Sequence, residues 1–224
     1  MMPSAVVLAA GAGSRFGGGE NKVWTTLAGR PVLARALEAF AQCREVEEIV
    51  LVARKGEEAR AASVACGLPQ SVHVVVGGER RQDSALAGVA AARGEYVLVH
   101  DGARPLVTPD LVRRVLAAAQ AHGAAVPAVP VSDTVRYARD GFLAPTVVER
   151  AGLVAVQTPQ GFRRELLLAA YAAAEGRVHE LPDDAAAVLL LGYPVAVVPG
   201  DPRNVKLTRP EDLDLAARLL AGLD

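Results

Sequence analysis

Residues 5–22 read AVVLAAGAGSRFGGGENK: an apolar, β-branched run that passes straight into a loop holding five glycines, one arginine and one lysine. A short continuous apolar run bounded by glycine is expected for a strand covered on both faces of a sheet. Glycines after such a strand let backbone N–H groups close on an anion. Arg15 can fork across phosphate oxygens, and Lys22 supplies a compact point charge. The stretch therefore predicts a buried first strand followed by a phosphate loop. A secretory leader would need a charged beginning and a longer apolar run, so the segment reads as a strand.

Outward from this loop, strand-like and helical segments alternate. Strands are expected at 4–9, 48–53, 72–76, 95–100, 124–129, 153–156 and 194–198. Helices are expected at 31–42, 56–66, 82–92, 108–121, 163–174, 183–191 and 210–222. Thr108-Pro109 reads as an N-cap with proline at the first helical position, and Thr208 with Pro210 suggests the same for the last helix. The alternation predicts an α/β fold: a doubly wound, mainly parallel, Rossmann-like sheet. Residues 131–152, VSDTVRYARDGFLAPTVVERAG, break the rhythm with short β-like pieces around RDG. They predict a projecting β-arm, and an arm that cannot bury both faces alone predicts packing on a second subunit, hence a homodimer. The expectation is one domain over 1–224 with the arm appended.

Composition excludes several classes. Formal net charge is −1 over 224 residues, which argues against a nucleic-acid or membrane-surface role. No apolar run approaches the roughly 18 residues of a membrane span. Cys43 and Cys66 stand in no CxxC pattern, which suits a reduced, cytoplasmic protein, and the four histidines lack zinc-ligand spacing. Lysine is scarce, with only Lys22, Lys55 and Lys206 present, so each is informative.

The glycine loop admits three other readings from its residues alone. Gly11-x-Gly13-x-x-x-Gly17 is one residue off a dinucleotide fingerprint, and the second strand ends VARK, where Arg54 could meet a 2′-phosphate. The Walker pattern GxxxxGK[ST] does not fit. A plain surface loop with solvated charges is the third.

The form AAGxGxR followed by a lysine resembles the signature loop of the nucleotidyltransferases that activate sugar and alditol phosphates. Within that group the chain is similar to the 2-C-methyl-D-erythritol 4-phosphate cytidylyltransferase family, over nearly its whole length. The resemblance implies CTP and methylerythritol phosphate as substrates, Mg²⁺ as cofactor, Arg15, Lys22 and Lys206 as catalytic cations, and Ala10, Gly11 and Gly13 as nucleotide contacts.

Further stretches carry it. GGERRQDSALAG (77–88) places polar residues at a helix start, suited to an anion or base edge. The family reading puts Gly78, Glu79 and Ser84 on cytosine with Arg81 nearby; helix capping by Asp83 or Ser84 is the alternative. VLVHDGARP (97–105) sets Asp101 and Arg104 past a strand end, where ligands bind in open α/β sheets. Asp101 would orient ribose or acceptor hydroxyls, or meet Mg²⁺ through water, with the metal held mainly by CTP phosphates and by no direct protein ligand. Alternatively Asp101 and Arg104 simply pair. His100 reads as a structural strand-end residue.

In the arm, VSDTVRY (131–137) and TVVERAGL (146–153) carry Thr134 and Arg150, which match family positions on the acceptor phosphate. By themselves both read as solvated residues. VQTPQGF (156–162) carries Thr158, implied as another acceptor contact. In PDDAAAVLLLGYPV (182–195), Pro182 stands where the family has threonine, and Asp183 and Asp184 also suit a helix N-terminus. GDPRNVKLTRPEDL (200–213) carries Lys206. ENKVW departs from the family's P-K-Q-[YF], which bears on the stiffness of the loop around Lys22. A ribitol 5-phosphate cytidylyltransferase shares nearly all these motifs, a guanylyl- or uridylyltransferase shares the chemistry, and a non-catalytic nucleotide-binding protein would need neither Lys22 nor Mg²⁺.

Overall fold

The structure is a computed structural model that describes residues 3–11, 16, 21–174 and 181–222. In chain order the strands are β1 (Pro3–Leu8), β2 (Thr26–Leu27), β3 (Arg30–Pro31), β4 (Glu48–Ala53), β5 (Ser71–Val76), β6 (Tyr96–Asp101), β7 (Ala124–Pro130), β8 (Arg136–Arg139), β9 (Phe142–Val147), β10 (Val154–Val156), β11 (Gln160–Arg163) and β12 (Ala196–Pro199). The helices are α1 (Val32–Ala41), α2 (Glu58–Val64), α3 (Arg81–Ala91), α4 (Pro109–His122), α5 (Arg164–Ala173), α6 (Asp184–Leu190) and α7 (Asp212–Ala221). A 3₁₀ turn, Lys22–Trp24, precedes β2.

Among the described residues the main sheet has eight strands, ordered β10-β7-β11-β6-β1-β4-β5, with β12 on β7. β6, β1, β4 and β5 run parallel, as does β12 beside β7. β10 and β11 run antiparallel to their neighbours. A strand has two edges, so β12 occupies one edge of β7 while β10 and β11 share the other in succession. β11 was not expected from the sequence. It wedges between β6 and β7, where a Cβ on Gly161 would fall 2.9 Å from Ala119 Cβ and 3.0 Å from Val115 Cγ1.

β1 and β4 are buried along their whole length, which is why they read as apolar runs after Ser4 and Glu48, a buried pair that hydrogen-bonds across the two strands. Successive residues still face opposite ways. Ala5, Val7, Ile49 and Leu51 join Leu33, Leu37 and Phe40 of α1 and Leu111, Val112 and Val115 of α4 on one face. Val6, Leu8, Val50 and Val52 join Val89 of α3 and Leu166, Leu167 and Ala170 of α5 on the other. The sheet is doubly wound, as expected. Among the described residues no helix is long and apolar enough to cross a membrane.

The Thr108 cap is present: its side chain accepts from Leu111 N–H at 3.3 Å, with Pro109 opening α4. The start of α7 differs from expectation. The Asp212 carboxylate collects the N–H groups of Thr208 (2.6 Å) and Arg209 (2.8 Å), and the helix begins only at Asp212. The RDG stretch turns a hairpin of β8 and β9, with Asp140 at φ 49° and Gly141 at φ 82°, the left-handed pair that matches strand twist.

Helix α3 meets the sheet at Gly88, where an added Cβ would lie 2.3 Å from Val6 Cγ1 and 2.7 Å from Val52 Cγ2. Gly88→Ala is therefore expected to lower stability by about 1–3 kcal/mol through overpacking, despite the better helix propensity of alanine. Urea unfolding would show this as a lower midpoint; an unchanged or raised midpoint would mean that the helix shifts freely.

Candidate active site

The carboxyl ends of β1, β5 and β6 open into one cleft of about 270 Å³, lined by residues including Ala10, Gly11, Asn21, Lys22, Gly78, Glu79, Arg81, Ser84, Asp101 and Lys206. Nine residues singled out in the sequence thus meet in one place. Gly13 and Arg15 lie outside the described residues.

At the centre is Asp101, the last residue of β6 and only 7% exposed. Its Oδ1 accepts from Arg81 Nε at 3.0 Å and its Oδ2 from Lys206 Nζ at 2.6 Å. Burial opposes its ionisation, but the charges of Arg81 and Lys206 outweigh burial and hold the carboxyl well below its ordinary range. Asp101 does not simply pair with Arg104: the Arg104 guanidinium turns instead to Asn204, donating from Nη1 to the backbone oxygen at 2.7 Å.

Arg81 bridges two carboxylates. Besides Asp101, it donates from Nη1 and Nη2 to the two oxygens of Asp184 at 3.0 and 2.8 Å. Asp184 is fully buried and also accepts from Tyr171 Oη at 2.5 Å. Burial works against the charge on Arg81, but the two carboxylates more than restore it. Burial, then the Asp184 charge, pushes the Tyr171 phenol well above its usual value. Sequence reasoning missed Asp184 and Tyr171 as parts of the site. Asp183 does the capping, accepting from Ala186 N–H at 2.9 Å, which leaves Asp184 to face inward.

The segment 77–84 combines both sequence readings. The Asp83 carboxylate accepts from Arg80 N–H at 3.2 Å, so Asp83 is a helix-start cap. Ser84 is 4% exposed, donates to Arg80 O at 3.1 Å and lines the cleft. Gly77 and Gly78 leave no room for side chains: a Cβ would sit 2.5 Å from Ala10 Cβ and 2.3 Å from Asp83 Cβ respectively. Of this segment, Gly78 and Glu79 line the cleft, while the Gly77 N–H is bonded to Ala53 O at 2.8 Å.

Thr158 does not line the cleft. It is 4% exposed, and its hydroxyl lies 3.1 Å from Asp101 N–H and 3.0 Å from His100 Nδ1. His100 is fully buried and its Nε2 lies 3.2 Å from Arg104 O. A carbonyl oxygen only accepts, so Nε2 carries the proton and Nδ1 accepts from Thr158, whose oxygen in turn accepts from Asp101 N–H. This relay sets the backbone of Asp101 from behind. Lys206 is set by Leu207, whose N–H reaches Ala103 O at 2.9 Å, and by Asn204 Nδ2, which reaches Thr158 O at 2.8 Å. Thr134 and Arg150 are exposed and line no part of this cleft; Arg150 Nη1 donates to Ser132 O.

Cations, glycine backbone and a carboxylate at the carboxyl ends of parallel strands define the class of protein: an open α/β protein whose cleft lies at the strand ends and is suited to an anion. The family model described as IspD, 2-C-methyl-D-erythritol 4-phosphate cytidylyltransferase, matches residues 4–221, and the chain belongs to that family. It is 47% identical over 222 residues to a protein of Anaeromyxobacter sp. (strain Fw109-5) named bifunctional enzyme IspD/IspF, covering 96% of this chain and 57% of that one. It is 44% identical over 223 residues to the 2-C-methyl-D-erythritol 4-phosphate cytidylyltransferase of Pelotomaculum thermopropionicum, covering 97% and 93%. The crystal structure of the enzyme of that name from Thermus thermophilus superposes with a TM-score of 0.81 at 39% identity, covering 96% of this chain and 98% of that one. The chain spans little more than half the length of the bifunctional relatives it matches.

Burial lowers the pKa of His100 from 6.5 to about 4. Below pH 6.5 the unfolded chain takes up a proton there that the folded chain refuses until about pH 4, so stability falls as pH drops through that window. The loss amounts to about 3 kcal/mol once pH is below both values. Urea midpoints measured from pH 7 to pH 4 are expected to decline, and His100→Gln, which removes the titrating group, is expected to flatten the slope; parallel slopes would contradict this.

Proposed function

We propose that this chain transfers CMP from CTP to 2-C-methyl-D-erythritol 4-phosphate, giving 4-diphosphocytidyl-2-C-methyl-D-erythritol and pyrophosphate in non-mevalonate isoprenoid precursor synthesis. The observation that carries the reading is the meeting of Lys22, Gly78, Glu79, Ser84, Asp101 and Lys206 in one cleft of a chain of this family. A cytoplasmic location fits the two cysteines, both free thiols.

The acceptor phosphate oxygen is already anionic, so no strong general base is required. It attacks the α-phosphorus in line, the bond to the β-phosphate oxygen breaks, and pyrophosphate carries away the electron pair. Negative charge grows on the non-bridging oxygens, and fixed cations beside them lower the barrier. Arg15, Lys22 and Lys206 take that role. Ala10, Gly11 and Gly13 border the triphosphate, and the backbone at Gly78 and Glu79 with the Ser84 hydroxyl takes the cytosine edge. Arg81 orients Asp101, which faces ribose and acceptor hydroxyls. Arg104 does not itself line the cleft and its Nε is buried, so we assign it to the acceptor phosphate through Nη2. Thr158 serves through Asp101, because its hydroxyl is already taken.

Among the described residues no three His, Cys, Asp or Glu side chains cluster as a metal cage. Both Asp101 oxygens are engaged, which leaves them a contact through water. This donor set fits Mg²⁺, which keeps its waters and is carried chiefly by substrate phosphates. When bound, Mg²⁺ neutralises the triphosphate and polarises it toward attack.

Thr134 and Arg150 belong to the arm, and we assign them to the acceptor of a second copy. The arm exposes Tyr137 (61%), Phe142 (77%), Leu143 (73%) and Val147 (70%), more apolar surface than a free hairpin ordinarily shows. A homodimer buries it. Sedimentation is expected to give a dimer, and Phe142→Asp with Leu143→Asp a monomer with impaired turnover; a monomeric native protein with full activity would overturn the assignment.

The main test is pyrophosphate release with Mg²⁺ across four nucleoside triphosphates and three conditions: methylerythritol 4-phosphate, ribitol 5-phosphate and no acceptor. Release is expected only with CTP and methylerythritol phosphate. Preference for ribitol phosphate would change the substrate but not the chemistry. No release from folded protein that binds CTP would overturn the enzymatic reading. Lys22→Ala and Arg15→Ala are each expected to lower kcat by about 10²-fold, the scale of one lost transition-state donor.

A further inference from the structure

Asn21 stands immediately before Lys22 in the cleft wall and is 1% exposed. A buried primary amide is costly unless its donors and acceptor are engaged. Here they are. Nδ2 donates to Ala9 O, just past β1, and to Glu57 Oε2 at 3.3 Å, at the start of α2. Oδ1 accepts from Val23 N–H at 3.4 Å, and the backbone oxygen of Asn21 accepts from Trp24 N–H at 3.0 Å. Ala9 is itself anchored to the sheet, its N–H reaching Val52 O at 2.8 Å. On the far side of Lys22, the Trp24 ring is 4% exposed and lies 4.6 Å beneath the Arg60 guanidinium. Lys22 therefore rides on a turn pinned on both sides.

The Asn21 backbone lies at φ −68°, ψ 123°. That φ is within the narrow range that a proline ring enforces covalently. We infer that Asn21 is a positioning residue for Lys22: its side-chain hydrogen bonds hold the backbone in a proline-like conformation and so aim the lysine into the cleft. The inference rests on the role proposed above for Lys22. The hydrogen bonds and the φ constraint are separable, because proline at 21 keeps the φ and discards the bond to Ala9 O.

Four proteins compared with CTP, methylerythritol phosphate and Mg²⁺ test it: wild type, Asn21→Ala, Asn21→Pro and Lys22→Ala. Trp24, the one tryptophan of the sequence, reports on the turn by acrylamide quenching. Both Asn21 variants leave Ala9 O without its partner, so both are expected to melt below wild type. Asn21→Ala is expected to lose about 10-fold in kcat with KM for CTP within about twofold, because a displaced donor fails in the transition state before it fails in binding. Its Trp24 is expected to quench more readily. Asn21→Pro is expected to recover kcat to within about threefold of wild type, with quenching as in wild type. If Asn21→Ala does not fold, Asn21→Asp replaces it, since that carboxylate still accepts from Val23 but gives Ala9 O no donor; the same loss is expected. Wild-type kcat in Asn21→Ala alongside a slow Lys22→Ala overturns the positioning role alone. So does a folded Asn21→Pro as slow as Asn21→Ala. Wild-type turnover in Lys22→Ala overturns the role of Lys22 and the positioning role with it.

Discussion

A buried carboxylate between two cations organises the site. Asp101 holds Arg81 from the start of α3 and Lys206 from the segment after β12, residues 20 and 105 positions away from it along the chain. Burying such a charge is favourable only with its partners in place, and stripping one away typically costs about 3–5 kcal/mol. Each partner is in turn fixed elsewhere, Arg81 by Asp184, which Tyr171 holds in turn, and Lys206 by the Leu207–Ala103 backbone bond. The cleft is therefore wired through its floor. Under the proposed function, its cations keep their directions before a phosphate arrives, which would leave little rearrangement for the reaction.

Support from behind extends to the backbone. His100, Thr158 and the Arg104 carbonyl form a short relay under Asp101, with the imidazole neutral and one tautomer required. Phe40 meets the His100 ring edge-on at a centroid distance of 5.2 Å, so the core of α1 presses directly on the residue beside the site. Packing and chemistry share residues here, which makes the site sensitive to core substitutions that touch nothing in the cleft.

The central strands were legible because β1, β4 and β6 are buried on both faces and are apolar apart from Ser4, Glu48, His100 and Asp101 near their ends. The helices were legible as the segments between the strands and, for α4, from its cap. β11 was not: Gln160, Gly161 and Arg163 lack strand character, and their place in the sheet follows from the gap left between β6 and β7. The start of α7 was misread because the local Thr-x-Pro pattern competes with a carboxylate four residues further on. At the site, residues on strand-end loops were legible because glycine, cations and polar groups have little other reason to cluster there. Asp184 and Tyr171 were hidden because the importance of Asp184 lies in Arg81, 103 residues earlier, and that of Tyr171 in its bond to Asp184. Their type and spacing alone suit a helix start and a core aromatic equally well.

The antiparallel strand β11 also bears on the order in which the sheet closes. β6 pairs with β1 on one side and with β11 on the other, and β11 shares an edge of β7 with β10. Until residues 154–163 leave the ribosome, β6 and β7 each carry an open row of backbone donors and acceptors. Those rows invite pairing with other nascent chains. The half built from β1, β4, β5 and β6 has all its parallel partners by residue 101, so it can form early. The interval between that point and the arrival of β11 is the vulnerable stretch of synthesis, when a holding chaperone has most to cover.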